Sequence, residues 1–414
     1  MNSSVTLKSN PKIEGTLHQL PSSKSMSNRV LILNALSGNQ SIVSNLSAAR
    51  DTELMQSLIG SPHPIIDVMD AGTTMRFLTA FFALTNQEKI LTGTDRMKQR
   101  PIKLLVDALR LIGANIVYQG EEGFPPIKTR GFNAQQVATL AMPGNISSQY
   151  ISALMMVAPT LPKGLAINLT SETGSVPYIT MTASLMRVFG AEVDLDFDKN
   201  TIHVQRGNYK PSKITIEADW SAASYWFAFT ALAEEAKVIL PNVSEKSLQG
   251  DRVVVDVMEK LGVIALFNNN SLELIKKDFT NHLVWDFKDC PDLAQTVLPV
   301  CAAKGIAGEF TGLESLRIKE TDRIAALQNE LKKIGAELTE PAIGKWQLVP
   351  GKISTLAEPI QTYHDHRMAM GFAPWATLAD ITIKSPEVVS KSYPGFWEDV
   401  ESVGIQVSRS SEEK

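Results

Sequence analysis

Six segments of this chain are apolar on nearly every face: VLILNAL, MRFLTAFFAL, YISALMMVAP, YWFAFTALA, LAQTVLPVCAA and MAMGFAPWATLA. A stretch of helical length with no polar stripe predicts a buried helix. The helices are expected to begin around Lys24-Ser25, Gly72-Thr73, Ser147-Ser148, Asp219-Trp220-Ser221, Pro291-Asp292 and His364-Asp365-His366. A second, amphipathic series alternates with them, each member running into a glycine and then a short strand. Its clearest copies are ALRLIGANIVY, LMRVFGAEVDL, VMEKLGVIAL and ELKKIGAELTE, with glycines Gly113, Gly190, Gly262 and Gly335 spaced 77, 72 and 73 residues apart. Weaker copies put Gly60 and Gly404 in the same place. One glycine after one helix is an ordinary left-handed cap. The near-constant spacing instead predicts six copies of a βαβαββ unit.

Length fits this picture, because 414 residues exceed one ordinary core and suit two domains of roughly 200 residues. The expected division is 21–217 for one domain and 1–20 plus 218–414 for the other. The first strand, around Thr6 to Leu20, is surplus to the first three units and is assigned to the second domain.

Composition removes several classes. A net charge of −4 offers no general attraction to nucleic acid or to an anionic membrane surface. No apolar run approaches the roughly 20 residues of a membrane span. The start MNSSVTLKSNPKIEG has neither the apolar core of a signal peptide nor an Arg-rich transit helix. Two cysteines, Cys290 and Cys301, with six scattered histidines make neither a disulfide framework nor a zinc site. The expectation is a cytoplasmic, metal-free and cofactor-free monomer.

Anion binding must then come from local clusters of Lys and Arg, and the apolar helices begin with such clusters. LPSSKSMSNR places Lys24 and Ser25 at a helix start, with Arg29 one turn on from Ser25. DAGTTMR supplies Gly72, where a ligand can approach the backbone, and Arg76 in the first turn. LTGTDRMKQRP adds Arg96, Lys98 and Arg100. SLRIKETDR brings Lys319, Glu320, Asp322 and Arg323, and HDHRMAM brings Asp365, His366 and Arg367. Taken singly, each string is also what a capped helix start or a solvated ion-pair network looks like. Six starts in register, however, predict positive helix ends gathered on a highly anionic ligand.

In order along the chain, these strings resemble the EPSP synthase family of enolpyruvyl transferases. The matches are LPxSKSxSNR at 20–29, AGTxMR at 71–76, LTGxxRMKxRP at 91–101, SSQ at 147–149, PD at 291–292, RxKETDR at 317–323, HDHRMAM at 364–370 and SK at 390–391. The resemblance implies an α/β fold of two similar domains, each of three βαβαββ units in an inverse α/β barrel, facing each other across a cleft. It implies transfer of the enolpyruvyl group of phosphoenolpyruvate to the 5-hydroxyl of shikimate 3-phosphate, with release of phosphate.

Residue by residue, it implies that Lys24, Gly72, Arg100, Gln149, Arg323, Arg367 and Lys391 bind phosphoenolpyruvate. Ser25, Arg29, Ser147, Ser148, Gln149, Ser175, Asp292 and Lys319 would hold shikimate 3-phosphate, with Lys24 shared and Tyr178 against the ring. The chain departs from the family pattern at Ser22-Ser23, at Asp70 in place of Asn, and at Ser315 where many members have Asn. The stretch from Thr52 to Asp70 is short, so the first unit is expected to be trimmed.

The reaction moves no phosphoryl group to an acceptor and calls for no magnesium. It needs a base for the hydroxyl and a proton donor at C3 of the enol. Asp292 is expected to take the hydroxyl proton, and Glu320 and Lys24 are the candidates for the proton at C3 and at the departing phosphate. Sister transferases that act on UDP-N-acetylglucosamine carry a reactive cysteine in a mobile loop. Here Cys290 precedes Pro291-Asp292 and Cys301 lies in an apolar helix, so neither suits that role. A non-catalytic anion-binding repeat protein would leave Asp292 and Glu320 without a task.

Overall fold

The computed structural model describes residues 3–411 except 354, 355 and 357. The chain divides into two compact units. One is the continuous stretch Ser23–Ile216, and the other joins the residues up to Ser22 with those from Glu217 onward.

In the continuous unit the apolar helices are Lys24–Leu36, Gly72–Leu84 and Ser148–Val157, and each packs on the other two. In the discontinuous unit Trp220–Leu232, Ala294–Lys304 and His366–Phe372 do the same. A helix apolar all round must be covered all round, and packing against two other such helices and against strands achieves that. Twelve of the thirteen residues in Trp220–Leu232 are buried. A side chain such as Trp226, wholly inaccessible, contributes roughly 1.5–3 kcal/mol or more by leaving water.

Among the described residues, four of the six sheets are complete copies of one plan. In the order Ile65–Asp67, Glu88–Thr92, Ile127–Phe132, Ala114–Tyr118 the first pair is parallel and the others antiparallel. A parallel pair needs a crossover, and the helix Gly72–Leu84 provides it. The same order recurs from Thr139–Met142, from His282–Asp286 and from Lys12–Thr16. In the last of these the amino-terminal strand pairs in parallel with Glu235–Pro241.

The remaining two sheets are smaller than the expected unit. Lys213–Thr215 pairs only with Ile42–Ser44, and Ser3–Leu7 lies between Ile381–Lys384 and Val407–Ser411. Five of the six repeat glycines have positive φ, while Gly60 at −104° does not. Gly113 shows the constraint most sharply. Its φ is 123°, and an added Cβ would lie 2.2 Å from the Ala134 carbonyl oxygen.

Among the described residues no helix is long and apolar enough to cross a membrane, and no group of three or more His, Cys, Asp or Glu could hold a metal ion.

Candidate active site

Each unit carries one group of the residues singled out from the sequence, at the starts of its central helices. In the continuous unit, Ser23 caps Lys24–Leu36 by accepting from the Met26 N–H at 3.4 Å. Ser147 caps Ser148–Val157, accepting from the Gln149 N–H. Capping leaves the remaining first-turn N–H groups and the positive helix end to a ligand. The Lys24 ammonium lies 3.1 Å from Asp51 Oδ2. Gln149 Nε2 donates to Thr73 Oγ1 at 3.1 Å, which ties the starts of two helices together.

Arg100 is brought to Gly72 by the loop that precedes Lys103–Ile112. An added Cβ on Gly72 would sit 2.6 Å from Arg100 Nη2 and 2.8 Å from Nη1, so the guanidinium lies flat against the glycine. Arg100 Nη1 also donates to the Asp70 carbonyl at 3.4 Å. Arg76 secures the same junction, with Nη1 on the Gly72 carbonyl and Nη2 on that of Pro101. Tyr150 donates to the Pro101 carbonyl as well. Asp70, the departure from the family Asn, is paired with Arg50 at 2.7 Å.

Arg29 lies deeper than its neighbours. Its Nε donates to Thr182 Oγ1 at 2.7 Å, Nη1 to the Ser25 carbonyl at 2.8 Å and Nη2 to Ser152 Oγ at 3.3 Å. The guanidinium also lies over the rings of Phe77 and Tyr178, at 5.3 and 5.8 Å. Burial lowers its pKa to about 10, still charged at neutral pH. Ser175 precedes the helix Val176–Val188 in the left-handed conformation, with φ of 55°.

In the discontinuous unit three helix starts meet at Arg367. Nη2 reaches Asp292 Oδ2 at 2.8 Å and Ser221 Oγ at 3.4 Å, while Nη1 is 3.4 Å from both the Tyr225 hydroxyl and the Asp292 carbonyl. Arg323 holds the other oxygen of Asp292 at 3.0 Å, Glu320 at 3.0 Å and Asp365 at 2.7 Å. Lys391 Nζ lies 3.5 Å from Glu320. Burial alone would raise the pKa of Asp292, but the charges of Arg367, Lys319 and Arg323 outweigh it and hold the carboxyl well below the usual range. Arg323 itself is only 2% exposed, whereas the Asp292 side chain is 18% exposed.

Several members of this group were not singled out as site residues from sequence. Asp365 appeared only as a helix start. It caps His366–Phe372 through the Arg367 N–H at 2.9 Å and fixes Arg323 as well. Asp251 accepts a hydrogen bond from Ser221 Oγ. Burial and the neighbouring Asp292 charge raise its pKa to about 7. No motif marked it, and only proximity in the fold reveals it. Arg317, inside the RIKETDR string, turns instead to Glu340 at 2.7 Å and stacks over Trp346.

A carboxylate kept ionised by two arginines where three helices begin, with a Glu–Lys pair beside it, is equipment for binding small anions and moving protons. Lysine, arginine and serines at capped helix starts in the other unit add further anion-binding groups. Each group, taken by itself, is suited to small anionic ligands.

Comparison with known proteins narrows that class. The family described as EPSP synthase (3-phosphoshikimate 1-carboxyvinyltransferase) matches residues 7–61 and 56–400. The chain is 45% identical over 401 residues to the 3-phosphoshikimate 1-carboxyvinyltransferase of Bacteroides fragilis, covering 96% of this chain and 97% of that protein. It is 36% identical over 412 residues to the enzyme of that name from Cellvibrio japonicus, covering 92% and 95%. An EPSP synthase structure from Acinetobacter baumannii superimposes with a TM-score of 0.77 over 99% of this chain and 100% of that one, and at 21% identity this is a likeness of fold. The chain belongs to the EPSP synthase family.

Proposed function

We propose that the chain joins phosphoenolpyruvate to the 5-hydroxyl of shikimate 3-phosphate, with Asp292 as the base and both groups of residues taking part. The observation that carries this reading is the double grip of Arg323 and Arg367 on Asp292, at 3.0 and 2.8 Å.

So paired, the carboxylate is a weak base. Its basicity depends on the positive charge facing it, because opposite charges within about 4–6 Å lower a carboxyl pKa by roughly 1–3 units. An incoming phosphate or carboxylate shares the charge of those arginines, and the pKa of Asp292 then rises. The base becomes effective once the anionic substrate is bound. Arginine suits this role because its planar fork serves two acceptors at once.

The hydroxyl oxygen then bonds to C2 of the enol as C3 takes up a proton, giving a tetrahedral intermediate. Loss of a C3 proton and of phosphate restores the double bond in the product. Glu320 and Lys24 are assigned to the proton at C3 and to the departing phosphate. Lys24, Gly72, Arg100, Gln149 and Lys391 bind phosphoenolpyruvate together with the two arginines. Ser25, Arg29, Ser147, Ser148, Gln149, Ser175 and Lys319 hold shikimate 3-phosphate. Arg29 donates to Thr182, the Ser25 carbonyl and Ser152, which fixes its guanidinium and leaves two of its five N–H donors for a ligand.

Asp292→Asn tests the reading. Losing one general base costs about 10²–10⁴-fold in rate, so turnover should fall by that factor while the affinity for shikimate 3-phosphate changes little. Turnover near that of the unaltered protein would remove Asp292 from the role.

A further inference from the structure

The helix Arg323–Leu331 carries a second buried charge two turns beyond Arg323. Glu330 is fully buried, and its carboxylate accepts three hydrogen bonds. Oε1 accepts from the Tyr363 hydroxyl at 2.7 Å. Oε2 accepts from the Gln361 N–H at 3.0 Å and from Lys333 Nζ at 2.5 Å. Lys333 also donates to the Pro359 carbonyl at 2.7 Å. One carboxylate therefore holds two points of the segment leading into the HDHR string directly and a third, Pro359, through Lys333.

That segment has an uncommon backbone. Tyr363 and His364 have φ of 53° and 58°, consecutive left-handed residues with neither a glycine. Such conformations are disfavoured for L side chains and persist where the surroundings over-determine them. The residue they deliver is Asp365. Its carboxylate receives Arg323 Nε at 2.7 Å and Nη2 at 3.4 Å, and it caps the helix that starts with His366 and Arg367. The helix Arg323–Leu331 thus grips the segment twice, through Glu330 before the left-handed pair and through Arg323 after it.

We infer that Glu330 is a positioning residue for the reaction: by fixing the 361–363 turn, it places Asp365 and through it the guanidinium groups of Arg323 and Arg367. The inference rests on the assignment of those two arginines to phosphoenolpyruvate. A small rotation of the turn moves Asp365, and an anion site tolerates little displacement of its donors.

Glu330→Gln and Tyr363→Phe test this, read by the KM for phosphoenolpyruvate, by kcat and by a fluorescence titration with shikimate 3-phosphate. Both variants should raise the KM for phosphoenolpyruvate, about tenfold or more for Glu330→Gln and less for Tyr363→Phe. The dissociation constant for shikimate 3-phosphate should stay within about twofold. A group that only stabilised the fold would lower the melting temperature and leave that KM in place. Should Glu330→Gln fail to fold, Tyr363→Phe, which removes a single tether, decides alone. Arg323→Lys is measured alongside. If it raises the KM while Glu330→Gln and Tyr363→Phe leave it unchanged, the positioning role is overturned and the arginine assignment stands. If Arg323→Lys leaves the KM unchanged, the arginine assignment falls and the positioning role with it.

Discussion

Replacing Gly72 with alanine adds one methyl group at the place where Arg100 lies. The φ of Gly72 lies outside the left-handed region, so alanine meets no backbone strain there. As Gly72 is the first residue of its helix, the substitution gains only part of the roughly 0.5–1 kcal/mol by which Ala is favoured over Gly in a helix interior. Stability should therefore hold or rise, and the effect should fall on Arg100. The new Cβ would stand 2.6 Å from Nη2 and 2.9 Å from Cζ, against ordinary contact from 3.4 Å. The guanidinium must retreat by about 0.8 Å, and a displacement near 1 Å can cost on the order of 10²-fold in an oriented site.

A rise of roughly 10- to 100-fold in the KM for phosphoenolpyruvate is expected, about 1.4–2.7 kcal/mol. The assay is steady-state phosphate release at saturating shikimate 3-phosphate for the single variants Gly72→Ala and Arg100→Ala and for the pair. Because alanine acts by moving Arg100, it should add almost nothing once Arg100 has been removed. An unchanged KM in Gly72→Ala, or effects that simply add in the double variant, would refute the reasoning.

Two other substitutions probe the carboxylates. The folded pKa of Asp251 is raised to about 7, so between about pH 4 and pH 7 the folded state keeps a proton that the unfolded state has lost. That contribution to stability is present at low pH and is lost as pH rises through 7. Asp251→Asn should therefore gain stability relative to the unaltered protein between pH 5 and pH 8, by on the order of 1–3 kcal/mol in urea unfolding. A relative stability that does not change with pH would contradict the assignment. Asp365→Ala strips Arg323, 2% exposed, of two hydrogen bonds, and taking the nearest partner from a buried charge should cost about 3–5 kcal/mol. A cost under 1 kcal/mol would show that Asp292 and Glu320 suffice to hold it.

The apolar helices were legible because burial on all sides leaves a composition that nothing else produces. Their starts at Lys24, Ser148 and Trp220 fall where the hydrophobic run and the capping residue coincide, while the start at Gly72 follows Ala71 and has no side-chain cap. The repeat was legible from its glycines, although the two sheets led by Ile42–Ser44 and Ser3–Leu7 are smaller than the expected unit. What stayed hidden depends on distance along the chain. Arg29 meets Thr182 across 153 residues and Arg367 meets Ser221 across 146, and no local pattern encodes either partner. Asp251 sits in an unremarkable QGDR string and acquires its raised pKa only from the burial and charge around it. The left-handed Tyr363 and His364 were hidden for another reason, since tyrosine does not signal positive φ and histidine, though enriched there, is far more often found elsewhere.

Carboxyvinyl transfer itself is tested most directly by phosphate release from phosphoenolpyruvate, with and without shikimate 3-phosphate, the organic product being weighed by mass spectrometry. Phosphate should appear only when both substrates are present, one for each molecule of shikimate 3-phosphate that gains an enolpyruvyl group. Phosphate release without shikimate 3-phosphate, or no release with both substrates saturating, would contradict it.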